Sequence, residues 1–361
     1  MKRVLNIIRT MDMGGAQVMI MNIYRNIDRT KIQFDFLVNE KGFFDEEILK
    51  MGGKIFYMPY ITNIGQFSYS RQLQKFFREH PEYKIVHSHI NQVSGIILES
   101  ANKANVPVRI AHAHSSNNKN HMIAKIYKKY LQNKINVNAT HLFACSKDAA
   151  NWLFTNRANE AIILKNGIHI KEFQFSEEKR KEIRDKYHIE KDTTIIGNVA
   201  RLEEVKNHTF LLEIFKKYQI KNNNSILMLV GEGKAKEKIQ KKAKELNIEN
   251  KVYFISNQKE ISKYYCAFDY FVFPSLFEGL GIVLIEAQIS GLKCFASDKV
   301  IPKETQITEL IKYIDLENSA KIWADQIPEN NHYERKIIDN EEFNISTIAK
   351  KMEKFYLESV K

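Results

Sequence analysis

Short apolar runs alternate with longer helical patterns along almost the whole chain, and this alternation constrains the fold more than any other feature. Thirteen runs have the length of a strand, and most gaps between them carry apolar residues at helical spacing, as in residues 17–26 and 209–217. Strands that alternate with helices form parallel sheets covered by helices on both faces. Thirteen strands are too many for one small sheet, so the sequence predicts an α/β protein with two doubly wound sheets.

The predicted strands fall into two groups, one in each half of the chain. Those of the first half are residues 3–8, 33–38, 54–58, 85–88, 108–113, 141–144 and 161–164. Those of the second half are residues 193–199, 225–230, 251–255, 270–273, 293–296 and 312–314. We therefore expect two domains built on the same plan.

A polar, charge-rich segment separates the two groups of strands. It covers residues 166–194, and the strand pattern resumes at its end. Such a composition is typical of a domain boundary. We expect a linker near residues 167–176 and domains at residues 1–170 and 171–344.

The last residues of the sequence, 345–361, have the pattern of an amphipathic helix. Ile348, Met352, Phe355 and Tyr356 fall on one face of it. An apolar stripe of this kind predicts a helix that packs against a domain core.

The charge of the chain limits the classes of partner. The 361 residues carry a formal net charge of +12, which favours anionic lipids, nucleic acids or phosphorylated substrates. Enrichment in Lys and Asn from genome composition is the alternative explanation. Basic residues are interleaved with acidic ones in residues 233–247, and aromatic residues do not alternate with basic ones, so no nucleic acid is expected.

The sequence contains no apparent targeting or membrane-spanning segment. No apolar run reaches the ~18 residues that a membrane-spanning helix needs. The run at residues 4–8 is too short for a signal peptide. Cys145, Cys266 and Cys294 are scattered, which fits a reducing compartment. We expect a cytoplasmic protein, at most peripheral at the inner face of the cell membrane.

The loop after the first strand contains two adjacent glycines. Ligands of doubly wound sheets bind at the carboxyl ends of the strands. Gly14 and Gly15 would let the backbone approach an anion at the start of the first helix. An ordinary tight turn is the alternative. The sequence has no G-x-G-x-x-G pattern, so a dinucleotide fingerprint is absent.

The first strand of the second half leads into the segment "RLEEVKN". Arg201 and Lys206 are two cations at the mouth of the predicted sheet, where they could bind a diphosphate. A surface ion pair with Glu203 or Glu204 is the alternative.

The segment "PSLFEGLGIVLIEA", residues 274–287, carries a third candidate anion site. Glu278 lies in the predicted loop, and the following backbone is flanked by glycines at 279 and 281. Glu286 falls inside an apolar helix, where a carboxylate needs a hydrogen-bonding partner. The two hydroxyls of a ribose could supply that partner, and a salt bridge to a buried Arg or Lys is the alternative.

Paired histidines end two neighbouring strands of the first half. His87 and His89 lie in "VHSH", and His112 and His114 lie in "AHAH". Alternate residues of a strand face the same way, so the four imidazoles could converge on zinc, as in a zinc hydrolase. No acidic ligand lies beside them, and contact with a sugar is the competing interpretation.

Taken together, these segments resemble glycosyltransferase family 4, which has the two-domain GT-B architecture. "PSLFEGLGIVLIEA" matches the E-x(7)-E segment of that family, "RLEEVKN" its Arg and Lys, and "MGGAQ" its N-terminal glycine loop. "ACS" with "LKNGIH" matches the end of the first domain. "RIAHAHSS" and "SDKVIPKET" are similar to bacterial capsule and exopolysaccharide enzymes.

The resemblance implies an overall plan. Two Rossmann-like domains would face a central cleft, with the acceptor domain first, the nucleotide-sugar donor domain second, and helix 345–361 crossing back onto the first domain. A retaining hexosyltransferase would move a sugar from a nucleotide diphosphate sugar, expected to be a UDP-sugar, to a lipid-linked oligosaccharide in capsular or exopolysaccharide synthesis. The polar loop at residues 115–121 and the basic charge would suit an acceptor that carries a diphosphate.

The resemblance also implies roles for single residues. The ribose would be held by Glu286, and the diphosphate would be neutralised by Arg201 and Lys206. The other implied donor contacts are Gly14, Gly15, Glu278, Gly279, Leu280, Gly281 and Ile282. His114 would face the transferred sugar, with His112 in the alternative register.

Ser256 follows the predicted strand 251–255 and departs from the pattern of the family, which commonly has glycine at this position, near the base of the nucleotide. No D-x-D sequence occurs, which agrees with a donor site without metal or other cofactor. Catalysis would then depend on the cations and helix N-termini. A nucleotide-sugar epimerase and a non-catalytic partner subunit of another transferase are the alternative functions.

Overall fold

The computed structural model describes residues 1–114, 122–329 and 333–360, and the chain divides into two compact units. Unit 1 comprises Met1–Ile168 and Glu341–Lys361, and unit 2 comprises His169–Asn340. The polar loop at residues 115–121, expected to face an acceptor, lies outside the described residues.

Unit 1 is built on a parallel sheet. Its strands are β1 Lys2–Ile7, β2 Ile32–Val38, β3 Ile55–Tyr57, β4 Ile85–Ser88, β5 Val108–Ala113, β6 His141–Ala144 and β7 Ile162–Ile163. Their order across the sheet is β3-β2-β1-β4-β5-β6-β7.

Unit 2 repeats this plan with a second parallel sheet. Its strands are β8 Thr194–Val199, β9 Ser225–Val230, β10 Val252–Ile255, β11 Tyr270–Phe273, β12 Lys293–Ser297 and β13 Ile311–Ile314. Their order is β10-β9-β8-β11-β12-β13.

Helices connect the strands of both sheets. Those of unit 1 before the boundary are α1 Gly15–Asn26, α2 Asp45–Lys50, α3 Ile61–Glu79, α4 Ser94–Lys103, α5 Met122–Asn138 and α6 Lys147–Phe154. Those of unit 2 are α7 Ile170–Phe173, α8 Glu177–Lys186, α9 His208–Lys221, α10 Lys236–Glu245, α11 Ile261–Ala267, α12 Ile282–Ile289 and α13 Ala320–Gln326. The last helix, α14 Ile345–Ser359, returns to unit 1.

The strand order of each sheet fixes where a ligand can bind. In unit 1 the order reverses between β1 and β4, and in unit 2 it reverses between β8 and β11. At such a switch point the loops that leave the two neighbouring strands diverge, and a crevice opens at their carboxyl ends. The loops after β1 and β4, and those after β8 and β11, are therefore the candidate site segments.

The terminal helix α14 belongs to the core of unit 1. Its buried residues pack with those of α1 and β2, and they are Ile345, Ile348, Ala349, Met352 and Tyr356. Phe355 is partly buried against the same cluster. The amphipathic face predicted for this helix is thus confirmed.

The thirteen predicted strands are all present, with each end within one residue of its predicted position. They are parallel within their two sheets, as the alternation with helices predicted. Within the described ranges, no helix is both long and apolar enough to cross a membrane.

Candidate functional site

The switch point of unit 2 is bridged by an ion pair. Lys206, in the loop after β8, places its Nζ 2.5 Å from Oε1 of Glu278, in the loop after β11. Both side chains are largely buried, at 15% and 9% exposure. The backbone N–H of Leu276 also donates to the carbonyl of Val205 at 2.8 Å. The two loops that the sequence singled out are therefore in direct contact.

This pairing has a chemical consequence for the candidate site. An ammonium group has three donors, and Glu278 accepts one of them, so Lys206 retains donors for an anion. Glu278 in turn retains a carboxylate oxygen that can accept from a sugar hydroxyl. The structure thus places a candidate phosphate-binding cation and a candidate sugar-binding carboxylate next to each other.

Arg201 has a different environment from Lys206. Its side chain is 62% exposed, and its Nη1 donates to Oε1 of Glu203 at 2.7 Å. This is the surface ion pair that the sequence left open as the alternative. Because the pair is exposed, it is weak and exchangeable.

The start of α12 has the geometry expected of an anion site. Gly281 is the N-cap residue and adopts the left-handed conformation, with φ 73° and ψ 47°. Such a conformation is unfavourable for residues with a Cβ atom, which explains the glycine. The first N–H groups of a helix have no partners within the helix, so the backbone at Ile282 and Val283 can meet an anion.

A buried glutamine holds the neighbouring loop against α12. The Gln288 Nε2 donates to the carbonyl of Thr305 at 2.9 Å, and its Oε1 accepts from the N–H groups of Ile307 and Thr308 at 3.1 Å. The hydroxyl of Thr305 donates to the carbonyl of Leu280. Thr305 therefore fixes the backbone before α12 at Leu280, and Gln288 in turn fixes Thr305.

Glu286 lies in the second turn of α12 and is partly exposed. The hydroxyl of Tyr265, on α11, donates to its Oε2 at 2.7 Å. Desolvation raises the pKa of Glu286 to about 7, and the hydrogen bond from Tyr265 opposes part of that rise. The partner is thus a neutral phenol and not the buried cation that the sequence offered as the alternative.

Three further predicted contact residues lie in loops that follow strands of unit 2. Leu280 and Gly279 belong to the loop before α12, and Leu280 is buried. Ser256 follows β10, and its hydroxyl, hydrogen-bonded to the carboxylate of Glu232, lowers the pKa of Glu232. The serine that departs from the family pattern therefore has a polar partner within unit 2.

In unit 1, the predicted glycine loop leads into α1. Gly14 is the N-cap residue and has an extended backbone, with φ −154°. A Cβ atom on Gly15 would meet nothing within 4 Å. The packing of unit 1 therefore leaves open space beside Gly15, as the predicted approach of a ligand requires.

Four histidines of unit 1, at positions 87, 89, 112 and 114, form an ordered cluster at the ends of β4 and β5. The Nε2 of His87 lies 3.2 Å from Nδ1 of His112, and the Nδ1 of His89 lies 2.8 Å from Nε2 of His114. The rings of His87 and His89 stack at 4.2 Å, as do those of His112 and His114. The cluster is therefore two hydrogen-bonded pairs in two stacked layers.

This arrangement is better suited to hydrogen bonding than to zinc. Ring nitrogens of His87, His89 and His112 lie within 4.8 Å of one another. Lone pairs lie in the ring plane, so those of stacked rings run side by side, whereas a tetrahedral ion needs them to converge. Burial lowers the pKa of all three imidazoles well below the usual value and keeps them neutral, a form that serves hydrogen bonding and metal binding alike, so it is the ring geometry that disfavours zinc.

Two family models match the chain. The Glycosyltransferase Family 4 model matches residues 13–172, and the Glycosyl transferases group 1 model matches residues 179–352. Over 337 residues the sequence is 37% identical to the putative glycosyltransferase EpsF of Bacillus subtilis (strain 168). The match covers 90% of this chain and 87% of that protein. The chain belongs to glycosyltransferase family 4. The resemblance stated from the motifs is thus confirmed.

This glycosyltransferase is similar to two further curated proteins. The capsular polysaccharide biosynthesis glycosyltransferase CapH of Staphylococcus aureus is 26% identical over 373 residues, 99% of each chain. The UDP-Gal:alpha-D-GlcNAc-diphosphoundecaprenol alpha-1,3-galactosyltransferase of Escherichia coli is 24% identical over 309 residues, 78% of this chain and 79% of that protein.

A solved structure supports the fold of this glycosyltransferase. Anabaena Alr3699/HepE, crystallised in complex with UDP and glucose, has a TM-score of 0.75 and 16% sequence identity, over 99% of this chain and 100% of that chain. At this identity the likeness concerns the fold alone. The predicted GT-B class, with two Rossmann-like parallel-sheet domains, is confirmed.

Proposed function

We propose that this glycosyltransferase transfers a hexosyl or N-acetylhexosaminyl group from a UDP-sugar to a lipid-diphosphate-linked saccharide in capsular or exopolysaccharide synthesis. The observation that carries the proposal is the Lys206–Glu278 pair at the switch point of unit 2, beside the left-handed start of α12. A cation, helix N–H groups and a carboxylate are together the groups that a nucleotide diphosphate sugar needs.

Each part of the donor would have its own partner in unit 2. The ribose hydroxyls would donate to the carboxylate of Glu286, which Tyr265 already orients. The diphosphate would accept from Lys206 and from the N–H groups at the start of α12. Glu278 would accept from a hydroxyl of the transferred sugar.

The reaction would use the protein's own positive groups and no metal. The bond between the anomeric carbon and the diphosphate oxygen breaks, the acceptor oxygen bonds to that carbon on the same face, and the acceptor proton passes to the diphosphate. Lys206 and the N-terminus of α12 would stabilise the departing charge. Arg201 would join them by exchanging its exposed partner Glu203 for phosphate.

The names of relatives support the acceptor class. The Escherichia coli enzyme is named for a saccharide linked to diphosphoundecaprenol, and CapH is named for capsular polysaccharide synthesis. A lipid-linked acceptor requires access to a membrane surface. The exposed side of α5 carries Ile126, Tyr127 and Tyr130 together with Lys129, a composition that suits peripheral association with an anionic membrane.

Product analysis tests this proposal. The protein would be mixed with UDP-glucose, UDP-galactose or UDP-N-acetylglucosamine and a synthetic lipid-diphosphate-linked N-acetylglucosamine, with and without EDTA. We expect one glycosylated lipid and an equal amount of UDP, unchanged by EDTA. Conversion of a donor without any acceptor would identify an epimerase, and no product from any donor would contradict the proposal.

A further inference from the structure

His114 is held by a neighbouring histidine. It lies directly after β5, and its Nε2 is 2.8 Å from Nδ1 of His89, which follows β4. His89 is 7% exposed, so its ring is fixed by the surrounding sheet. The orientation of His114 therefore depends on a side chain from the next strand.

A third residue determines the direction of this hydrogen bond. The other ring nitrogen of His89, Nε2, lies 3.2 Å from Oδ1 of Asn6, which is on β1 and 1% exposed. The amide oxygen of Asn6 faces the ring, and its Nδ2 has no partner among the described residues; in this amide orientation Asn6 only accepts, which assigns the hydrogen of His89 to Nε2. Its Nδ1 is then a bare acceptor, and the hydrogen of the second bond belongs to Nε2 of His114.

We propose that His89, oriented by Asn6, is a positioning residue that holds His114 in its Nε2–H tautomer, with the Nδ1 lone pair as its remaining hydrogen-bond acceptor. The role of His114 beside the transferred sugar is the one that the family resemblance implies, and it rests on the proposed function, whereas the tautomer follows from unit 1 alone. A hydroxyl of the donor sugar or of the acceptor is the kind of group that such a lone pair binds.

The charge state of the cluster agrees with this assignment. Burial lowers the pKa of His114 to about 4, so the imidazole is neutral near pH 7. In a neutral imidazole one nitrogen donates and the other accepts, so the hydrogen-bond partner of one nitrogen decides whether the other is a donor or an acceptor. His89 therefore decides which ring nitrogen of His114 carries the hydrogen.

The second layer of the cluster supplies a matched control. His87 is also a buried imidazole, and it bonds through Nε2 to His112 and through Nδ1 to the hydroxyl of Tyr356 at 2.7 Å. Its replacement removes a ring of the same kind from the same sheet edge but leaves the Asn6–His89–His114 chain intact. A purely structural role of the cluster predicts similar effects for His87→Phe and His89→Phe.

Nitrogen NMR of the full chain labelled with ¹⁵N-histidine reads the tautomer directly. At pH 7.5 we expect the Nε2–H form of His114 in the wild type and in His87→Phe, and a mixture of tautomers in His89→Phe. Asn6→Ala should also give a mixture of tautomers. An Nδ1–H form in the wild type, or no change in His89→Phe, would overturn the proposal.

Steady-state kinetics give the second readout. The measured quantity is the rate at which UDP is released from UDP-glucose, UDP-galactose or UDP-N-acetylglucosamine. We expect kcat to fall roughly 10- to 100-fold in His89→Phe with KM for the donor unchanged, and by less than about 3-fold in His87→Phe. In a His114→Ala background, His89→Phe should cause no further loss. Equal losses in the two Phe variants, or additive losses, would contradict positioning. If the wild type released no UDP, the proposed function would fail while the NMR result would still decide the tautomer.

Discussion

Glu286 has a pKa raised by desolvation although its side chain is partly exposed, and these two properties usually exclude each other. It sits in an apolar helix, where desolvation raises its pKa to about 7 from an ordinary value of 4.5, and it is partly exposed beside Tyr265. A carboxylate kept in such a place costs stability unless a ligand uses it. The residue is therefore expected to contribute to donor binding at the expense of stability.

The replacement Glu286→Gln should show this trade-off. The native pKa lies above the unfolded value, so the free energy of unfolding falls as pH rises from about 4.5 to about 7. At pH 8 the variant should thus be more stable by on the order of 1 kcal/mol, measured as a few degrees in thermal unfolding. At pH 4 the gain should vanish. A less stable variant at pH 8 would contradict this account.

The same pKa predicts a pH dependence of donor binding. Ribose hydroxyls donate to the ionised carboxylate, so affinity for UDP-glucose should fall roughly 10-fold between pH 8 and pH 6. UDP-glucose is a suitable probe because its phosphates do not titrate in this range. Calorimetric titration of the wild type should show the dependence, and Glu286→Gln should bind weakly at both pH values. A flat profile for the wild type would refute the assignment.

Sequence reasoning predicted where the candidate site residues lie in the fold but not which side chains they contact. Glu278, Lys206 and Glu286 could be placed from their positions after strands and within a helix, because those positions follow from periodicity. The contact of Glu286 with Tyr265 joins two helices, and no spacing along the chain encodes that distance. Arg201 shows the same limit, since its pair with Glu203 was one of two open interpretations.

At the scale of elements, the Lys206–Glu278 pair ties the loop after β8 to the loop after β11. Removing one partner leaves the other charge buried without compensation, so Lys206→Ala should destabilise unit 2 by roughly 3 kcal/mol. Lys206→Ala with Glu278→Ala should cost less than the single change. Urea unfolding measures both, and a double variant with additive losses would show that the pair does not couple the loops.

An exposed ion pair provides the control for this experiment. Lys238 lies 2.9 Å from Glu204, and both side chains are more than half exposed, at 61% and 69%. Lys238→Ala should change the free energy of unfolding by less than about 1 kcal/mol because water and salt screen such pairs.

Helix α14 should stabilise unit 1 through its buried face. Met352 is 1% exposed, and its replacement by Ala should cost roughly 2–5 kcal/mol through lost burial and the cavity left behind. Lys351, exposed on the same helix, should tolerate Ala within about 0.5 kcal/mol. Chemical denaturation of both variants checks this, and equal effects would mean that α14 does not contribute to the core.

Elements were easier to predict than contacts for a physical reason. Strands of parallel sheets are buried on both faces and read as short continuous apolar runs, so their ends could be placed within one residue. Gln288 was missed, although a buried amide in the apolar helix α12 was the signal that could have found it. Asn6 was missed because a single polar residue within β1 has no periodic signature.

At the scale of the whole molecule, the two units repeat one strand order and place different chemistry at equivalent switch points. Unit 1 has neutral, hydrogen-bonded imidazoles, and unit 2 has the Lys206–Glu278 pair beside the start of α12. A formal net charge of +12 adds a general attraction for anions. Specific recognition of a nucleotide diphosphate must therefore be separated from this general attraction by point variants.

Calorimetric titration with UDP at pH 8 tests the central claim most directly. We expect the wild type to bind UDP, and Lys206→Ala and Glu286→Gln each to bind at least roughly 10-fold more weakly, as the loss of a charged hydrogen-bond partner implies. Glu213→Gln, which changes a half-exposed carboxylate of α9 that is paired with Lys242, should bind as the wild type does. No binding of UDP to the wild type, or equal binding by all four proteins, would contradict a donor site in unit 2.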